Sequence, residues 1–292
     1  MRLFSRILFA FSILILVSCQ NDQTAEAPTT TAPVQQRPVP SFDRDSAYAY
    51  VAKQLDFGPR VPNTEAHVAC KDWMVSKLKS FGADVIEQSF QVTAYTGDVL
   101  NATNVIAQFN KENKNRVVLA AHWDSRPFAD SPLNKERRDE PVMGADDGAS
   151  GTGILMEIAR QLGSNPLDLG VDIILFDVED YGEDSDDPDK DTRYTWGLGS
   201  QYWSRNFHVE PYFKPKFGIL LDMVGSENAR FPYEGVSMEY APRVVEKVWK
   251  LAGQMGYENY FVKERDRGIT DDHYFLNIND VNHRNFSNCI HK

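Results

Sequence analysis

Cysteine is scarce in this chain of 292 residues: there are 3, and none stands in a Cys-x-x-Cys pair. That excludes a disulfide-stapled scaffold and a thiolate metal or redox site, so any metal must be held by carboxylates and imidazoles. Positive charge is short as well, with 31 Lys+Arg against 42 Asp+Glu and a net charge of -11. The counterion release that drives non-specific nucleic-acid binding is therefore missing, and no nucleic-acid partner is expected. Internal repeats are absent, which excludes a solenoid or propeller. What remains is 42% hydrophobic with 18 Gly and 15 Pro, enough apolar material for one large globular domain or two small ones.

The N-terminal apolar stretch, Ile7 to Val17, follows Arg2 and Arg6 and is too short to span a bilayer. It reads as a secretory signal peptide. Its end, Leu16-Val17-Ser18-Cys19, resembles a bacterial lipobox, in which the cysteine is lipidated and becomes the mature N-terminus. The expected location is the cell envelope, with a membrane anchor at Cys19. Gln20 stands where an Asp would signal inner-membrane retention, so a periplasm-facing outer-membrane lipoprotein is expected. Residues 20–41, with Thr29-Thr30-Thr31, Pro33, Pro38 and Pro40, read as a disordered tether.

From Phe42 onward, helical and strand periods alternate, the signature of an α/β domain. Helices are expected over 43–56, 65–81, 151–162, 199–207 and 243–255. Val85 to Val92 and Asn104 to Phe109 read as outer strands, whereas the more apolar 117–121, 171–176 and 217–221 suit central strands covered on both faces. Each central strand runs straight into ionisable residues: His122 and Asp124, then Asp177, Glu179 and Asp180, then Asp222. Ligand crevices of open α/β sheets lie at the carboxyl ends of the strands, so these groups are expected to share one edge.

A fourth segment, Gly144-Ala145-Asp146-Asp147-Gly148-Ala149-Ser150-Gly151, brings a carboxylate into a loop of small residues. Together with His122-Trp123-Asp124, Asp177-Val178-Glu179-Asp180, Leu221-Asp222-Met223 and Asp271-Asp272-His273, it resembles the fold family shared by bacterial co-catalytic zinc aminopeptidases and zinc-dependent glutaminyl cyclases. The resemblance runs from about Phe57-Gly58-Pro59-Arg60 to His273 and implies a three-layer α/β/α sandwich with a mixed, mainly parallel central sheet.

It also implies roles. Asp147 and Asp180 match zinc ligands, Glu179 the catalytic acid/base, and Asp222 and Asp271 carboxylates that share a proton network with it. His122 and Asp222 match holders of a second zinc in the aminopeptidases and hydrogen-bonding groups around a single zinc in the cyclases. Trp196, in Trp196-Gly197-Leu198-Gly199-Ser200-Gln201-Tyr202-Trp203, resembles a pocket wall of the bacterial cyclases. The implied activity is cyclisation of the N-terminal Gln of peptides to pyroglutamate, with one zinc. A two-zinc aminopeptidase and an inactive relative stay open.

On this reading 1–18 are a lipoprotein signal peptide, 19–41 the tether, and 42–292 a zinc-dependent catalytic domain whose C-terminal part is incomplete. The last stretch, Asn279 to Lys292, lacks the apolar strand and the Trp-His pair that supplies the family's third zinc ligand, for which His283 or His291 are the substitutes at hand.

Smaller signals carry rival readings. Asp187, Asp189 and Asp191 begin like a calcium loop, but Thr192 occupies the glycine position and Leu198 the bidentate glutamate position, so a solvated loop is expected. Thr152 breaks a serine-hydrolase elbow around Ser150. Cys70 and Cys289 read as free thiols. Arg126 reads equally as a substrate contact or a surface ion pair. Core packing is the ordinary fate of Trp123, Trp203 and Phe128.

Overall fold

The computed structural model describes residues 39–185, 187–209 and 214–279, and the backbone of 286–290. Cys19, the tether, His283 and His291 lie outside the described residues. No helix among the described residues is long and apolar enough to cross a membrane.

Helices α1 (Arg44–Asp56) and α2 (Glu65–Ser80) begin where their caps predict. The Asp43 side chain accepts from the Asp45 and Ser46 amides and the Thr64 side chain from that of His67, satisfying N–H groups that have no helical partner. Beyond them lies a six-stranded sheet built from β1 (Asp84–Thr93), β2 (Val99–Phe109), β3 (Arg116–His122), β4 (Gly170–Phe176), β5 (Gly218–Leu221) and β8 (Phe286–Ile290), in the order β1-β2-β4-β3-β5-β8. β4, β3, β5 and β8 run parallel, and β2 is antiparallel to both β1 and β4. The sheet is thus mixed and mainly parallel.

Side chains alternate across it. Val105, Ala107, Val117, Ala121, Ile173 and Leu175 meet α2 and helix α3 (Ala149–Ser164) on one face. Ile106, Val118, Ala120, Ile174, Phe176 and Leu220 meet Trp203 of α4 (Leu198–Arg205) and Leu276 of α7 (Asp272–Ile278) on the other. Helices therefore cover both faces, and the architecture is a three-layer α/β/α sandwich. A two-stranded ribbon, β6 (Phe231–Tyr233) with β7 (Phe261–Arg265), shares a small core with α6 (Pro242–Gln254), and α5 (Gly235–Tyr240) precedes that helix.

Two sequence expectations need correction. Asn104 to Phe109 is not an outer strand: β2 lies between β1 and β4, and its second half is buried. Polar residues disguised it. Asn104 Nδ2 donates to Gln88 Oε1 and the Gly199 carbonyl, and Gln108 donates to Asp172, itself paired with Arg116, so the buried polar groups are satisfied. The final stretch, expected to hold no strand, pairs its backbone at Phe286–Ile290 in parallel with β5, since a ladder needs extended backbone rather than a continuous apolar run.

The connection β3–α3–β4 leaves on one face and β4–α4–β5 on the other, flanking the central β3. This switch of faces opens a crevice at the carboxyl ends of β3, β4 and β5.

Candidate active site

His122 ends β3, and Asp177 and Asp222 immediately follow β4 and β5. The His122 ring is buried, its Nε2 2.9 Å from Asp147 Oδ1 and 3.2 Å from Asp222 Oδ1. Asp147 arrives from the loop before α3. That loop approaches closely because Gly148 has φ +87° and a Cβ there would lie 2.5 Å from the Asp124 carbonyl. Arg60 clamps the same loop to the end of β3: its wholly buried guanidinium donates to the carbonyls of Trp123, Met143 and Gly144. This gives the Phe57-Gly58-Pro59-Arg60 motif its structural purpose.

Glu179 and Asp180 sit on a turn held from below. Val178 adopts φ +55°, a strained conformation for a buried β-branched residue. Asp124 secures the chain after Val178, its carboxylate accepting from the Glu179 and Asp180 amides at 3.1 Å each and facing His122 Nδ1 at 3.4 Å. Asp177 secures the chain on the other side, accepting from the amides of Thr103 and Val178 and from His67 Nε2, whose ring stacks on Trp123.

Electrostatics at this edge call for a cation. Burial raises Glu179 well above its ordinary value; His122 opposes the shift, and repulsion by Asp180, Asp272 and Asp271 adds to it. Burial also raises Asp180, reinforced by Asp147 and opposed by His122 and Arg126. Burial alone would lower His122, but its bonds to Asp124, Asp147 and Asp222 raise it well above the ordinary imidazole range. So many buried carboxylates around one imidazole are costly without a counter-charge.

Among the described residues, His122, Asp147 and Asp222 present ligand atoms within 4.8 Å of one another. Once an ion displaces the Nε2 proton, the imidazole nitrogen and two carboxylate oxygens are a donor set suited to zinc. The structure thus groups Asp147 with His122 and Asp222. Asp180 lines the same cavity, its Oδ1 accepting from Arg126 at 3.3 Å.

That cavity, of about 450 Å³, is lined by Asp147, Glu179, Asp180, Trp196, Asp222 and Asp271, together with the 267–270 loop. It brings all the predicted site residues together except His122, which lies buried behind it. Asp271 caps α7, accepting from the Asp272 amide. Trp196 stands against Gly182, where a Cβ would fall 2.0 Å from the indole, and Arg126 stacks over its ring at 4.6 Å. Arg126 is accordingly a largely buried ion pair with Asp130 and Asp180, set against Trp196. Ser150 is spent structurally, donating to the Asp146 carbonyl and accepting from Val224. Asp187, Asp189 and Asp191 are exposed, and Asp191 pairs with Arg193. Trp123 and Trp203 are core residues, and Cys70 is a buried thiol pushed up to about 12, chiefly by burial.

Glu234 was missed from sequence. Its carboxylate accepts from the amides of Val236 and Ser237, from Ile269 at 2.9 Å and from His273 Nε2 at 3.2 Å, tying α5, the cavity-lining loop and α7 together. Burial would raise it, yet the His273 bond and the amides hold it down at about 2. Stability from a lowered carboxyl is present above its ordinary value of 4.5 and is lost as pH falls toward about 2. Urea unfolding of Glu234→Gln should therefore show a deficit against the native protein that is full at pH 7 and narrows below about pH 4.5. A deficit constant from pH 7 to pH 3 would contradict this role.

A cluster of nitrogen and oxygen groups able to hold a metal ion, at the carboxyl edge of a mixed sheet and beside a buried glutamate, defines the class as a metal-dependent α/β enzyme. The profile of Peptidase family M28 matches residues 104–292, and the chain belongs to that family. It is similar to the crystal structure of Bacteroides thetaiotaomicron glutaminyl cyclase bound to N-acetylhistamine, at 49% identity, with TM-score 0.83 and coverage of 87% of this chain and 86% of that one. A Zn-dependent exopeptidase from Parabacteroides distasonis is 48% identical, with TM-score 0.82 and coverage of 87% and 85%. A Drosophila melanogaster glutaminyl-peptide cyclotransferase is 27% identical over 179 residues, 59% of this chain and 46% of that protein. Matches to curated relatives span 28% to 46% of those proteins' lengths.

Proposed function

We propose that this protein is a glutaminyl-peptide cyclotransferase that works with one zinc ion, converting the N-terminal Gln of a peptide to pyroglutamate. The observation that carries the reading is Glu179, buried in a cavity with Asp271 and the Trp196 wall and next to Asp147 and Asp180. The 49% identity to a glutaminyl cyclase supports it.

In the reaction the α-amine nitrogen bonds to the side-chain amide carbon, the C–N bond to the amide nitrogen breaks, and ammonia departs. Zinc, when bound, supplies a Lewis acid for the amide carbonyl. Asp147 and Asp180, which face the same cavity, would hold it, with His122 bonded to Asp147 and Asp222 beside them. Glu179 takes the proton from the attacking amine and delivers it to the leaving ammonia. Asp222 and Asp271, on the same cavity wall, keep that proton within a carboxylate network. Trp196 offers the flat apolar wall against which the Gln side chain orients.

Ammonia and a pyroglutamyl end should form from Gln-initiated peptides, with no amino acid freed from Leu- or Ala-initiated ones. The reverse pattern, read by mass spectrometry, would assign the site to a two-zinc aminopeptidase.

The proposal extends to location: Cys19, behind its lipobox-like sequence, anchors the protein to the cell envelope, on the periplasmic face of the outer membrane. Two or more acyl chains hold a protein firmly where one does not. Radioactive fatty acid should label the mature chain, and Cys19→Ser should abolish the label; an unlabelled native chain would refute the anchor.

A further inference from the structure

A second cavity, of about 420 Å³, adjoins the first, and the two share Asp147, Asp180 and Trp196 in their walls. The groups assigned to chemistry, Glu179, Asp222 and Asp271, line only the first. A bound molecule whose reacting end lies beside Glu179 can therefore continue past Asp147, Asp180 and Trp196 into a space that holds no reacting group.

The second cavity's own polar groups are largely engaged with one another. Arg126 donates to both Asp130 oxygens at 2.6 Å, reaches Asp180 at 3.3 Å and holds its guanidinium 4.6 Å from the centre of the Trp196 ring. Asn134 Nδ2 donates to the Ala129 carbonyl at 2.7 Å. What this leaves for a ligand is apolar surface: Phe128, Ala129 and Val142, all partly exposed, with Phe128 braced edge-on against Tyr181. The exposed carboxylate at the margin, Asp184, repels acidic ligands.

We propose that this second cavity is a subsite for the residue that follows the N-terminal residue of a bound peptide, and that it selects large apolar side chains over small or acidic ones. The inference rests on the peptide-cyclising reading and assigns it a specificity element in the loop after β3. Its walls are rigid where they meet the reacting site, because Arg126 is fixed by Asp130, Asp180 and Trp196 together. An apolar second residue that buries against Phe128 and Val142 adds binding that helps to seat the N-terminal Gln at Glu179. A second-position Gly buries nothing there, and Asp or Glu meets Asp184.

The test compares kcat/KM for Gln-Phe, Gln-Leu, Gln-Gly and Gln-Glu peptide amides. Gln-Phe and Gln-Leu should exceed Gln-Gly by about tenfold or more, the discrimination an apolar pocket gives, with Gln-Glu lowest. Phe128→Ala and, separately, Val142→Asp should shrink the Gln-Phe to Gln-Gly ratio toward unity, and measurable Gln-Gly turnover reports that each variant is folded. Equal kcat/KM across second residues in the native protein, or a ratio that neither variant moves, would overturn the subsite. Release of the first residue instead of ammonia would refute the cyclase reading alone, because the same ratio of second residues can then be measured on the cleavage reaction.

Discussion

Glu179→Gln should lower turnover by about 10²–10⁴-fold while zinc stays bound, because the substitution removes the proton acceptor and keeps the side chain's volume and its place in the cavity. Glu179 is 8% exposed, its amide is fixed by Asp124, and its carbonyl accepts from the Gly197 amide, so a glutamine has little room to settle elsewhere. Oε2 lies 4.0 Å from His122 Nδ1, on the side of the ring away from the Nε2 that faces Asp147 and Asp222. The carboxylate is therefore next to the ligand cluster without belonging to it. Asp147→Ala removes a member of that cluster, and zinc and activity should disappear together. Metal analysis after dialysis and steady-state kinetics, run on both variants, separate the two roles. Near-native turnover in Glu179→Gln would show that another group moves the proton.

Much of this site is legible in the sequence because acids following an apolar run at once have one physical outcome in a parallel sheet: they gather at its carboxyl edge. His122, Glu179, Asp180 and Asp222 are found that way, and Asp147 through the small residues around it. The braces are not legible. His67 and Asp177 are 110 positions apart, and Arg60 reaches carbonyls 63 to 84 positions away, so nothing local in α2 or in the Phe57-Gly58-Pro59-Arg60 segment marks them as supports of the site. Glu234 is hidden for the same reason, since its four hydrogen-bond partners lie on three different segments. The place of β2 in the sheet was obscured by Asn104 and Gln108, polar residues whose burial depends on partners in β1, β4 and α4 that no periodicity displays.

The dependence of the chemistry on these braces is greatest at Asp124. Both of its oxygens are in use, one for the Glu179 amide and His122 Nδ1 and the other for the Asp180 amide, in a wholly buried position. Its carboxyl is held below the usual range: burial would raise it, but the bond to His122 and the two amides outweigh that effect. Asp124→Asn keeps the shape and removes one acceptor, so whichever way the amide turns, an NH₂ group faces a buried N–H. An orphaned buried donor costs about 1–3 kcal/mol, and the turn that carries Glu179 and Asp180 would shift to relieve it. Val178, already strained at φ +55°, gives that turn no tolerance of its own. Displacement by about 1 Å is enough to cost on the order of 10² in rate. Asp124→Asn should therefore lose stability in urea unfolding by about 1–3 kcal/mol and turnover by about 10²-fold, although Asp124 lines neither cavity. Loss of stability with turnover intact would mean that Asp124 supports the fold and not the geometry of Glu179. Retention of both would mean that the strained turn holds itself, and that the two amide bonds are consequences of its shape rather than causes.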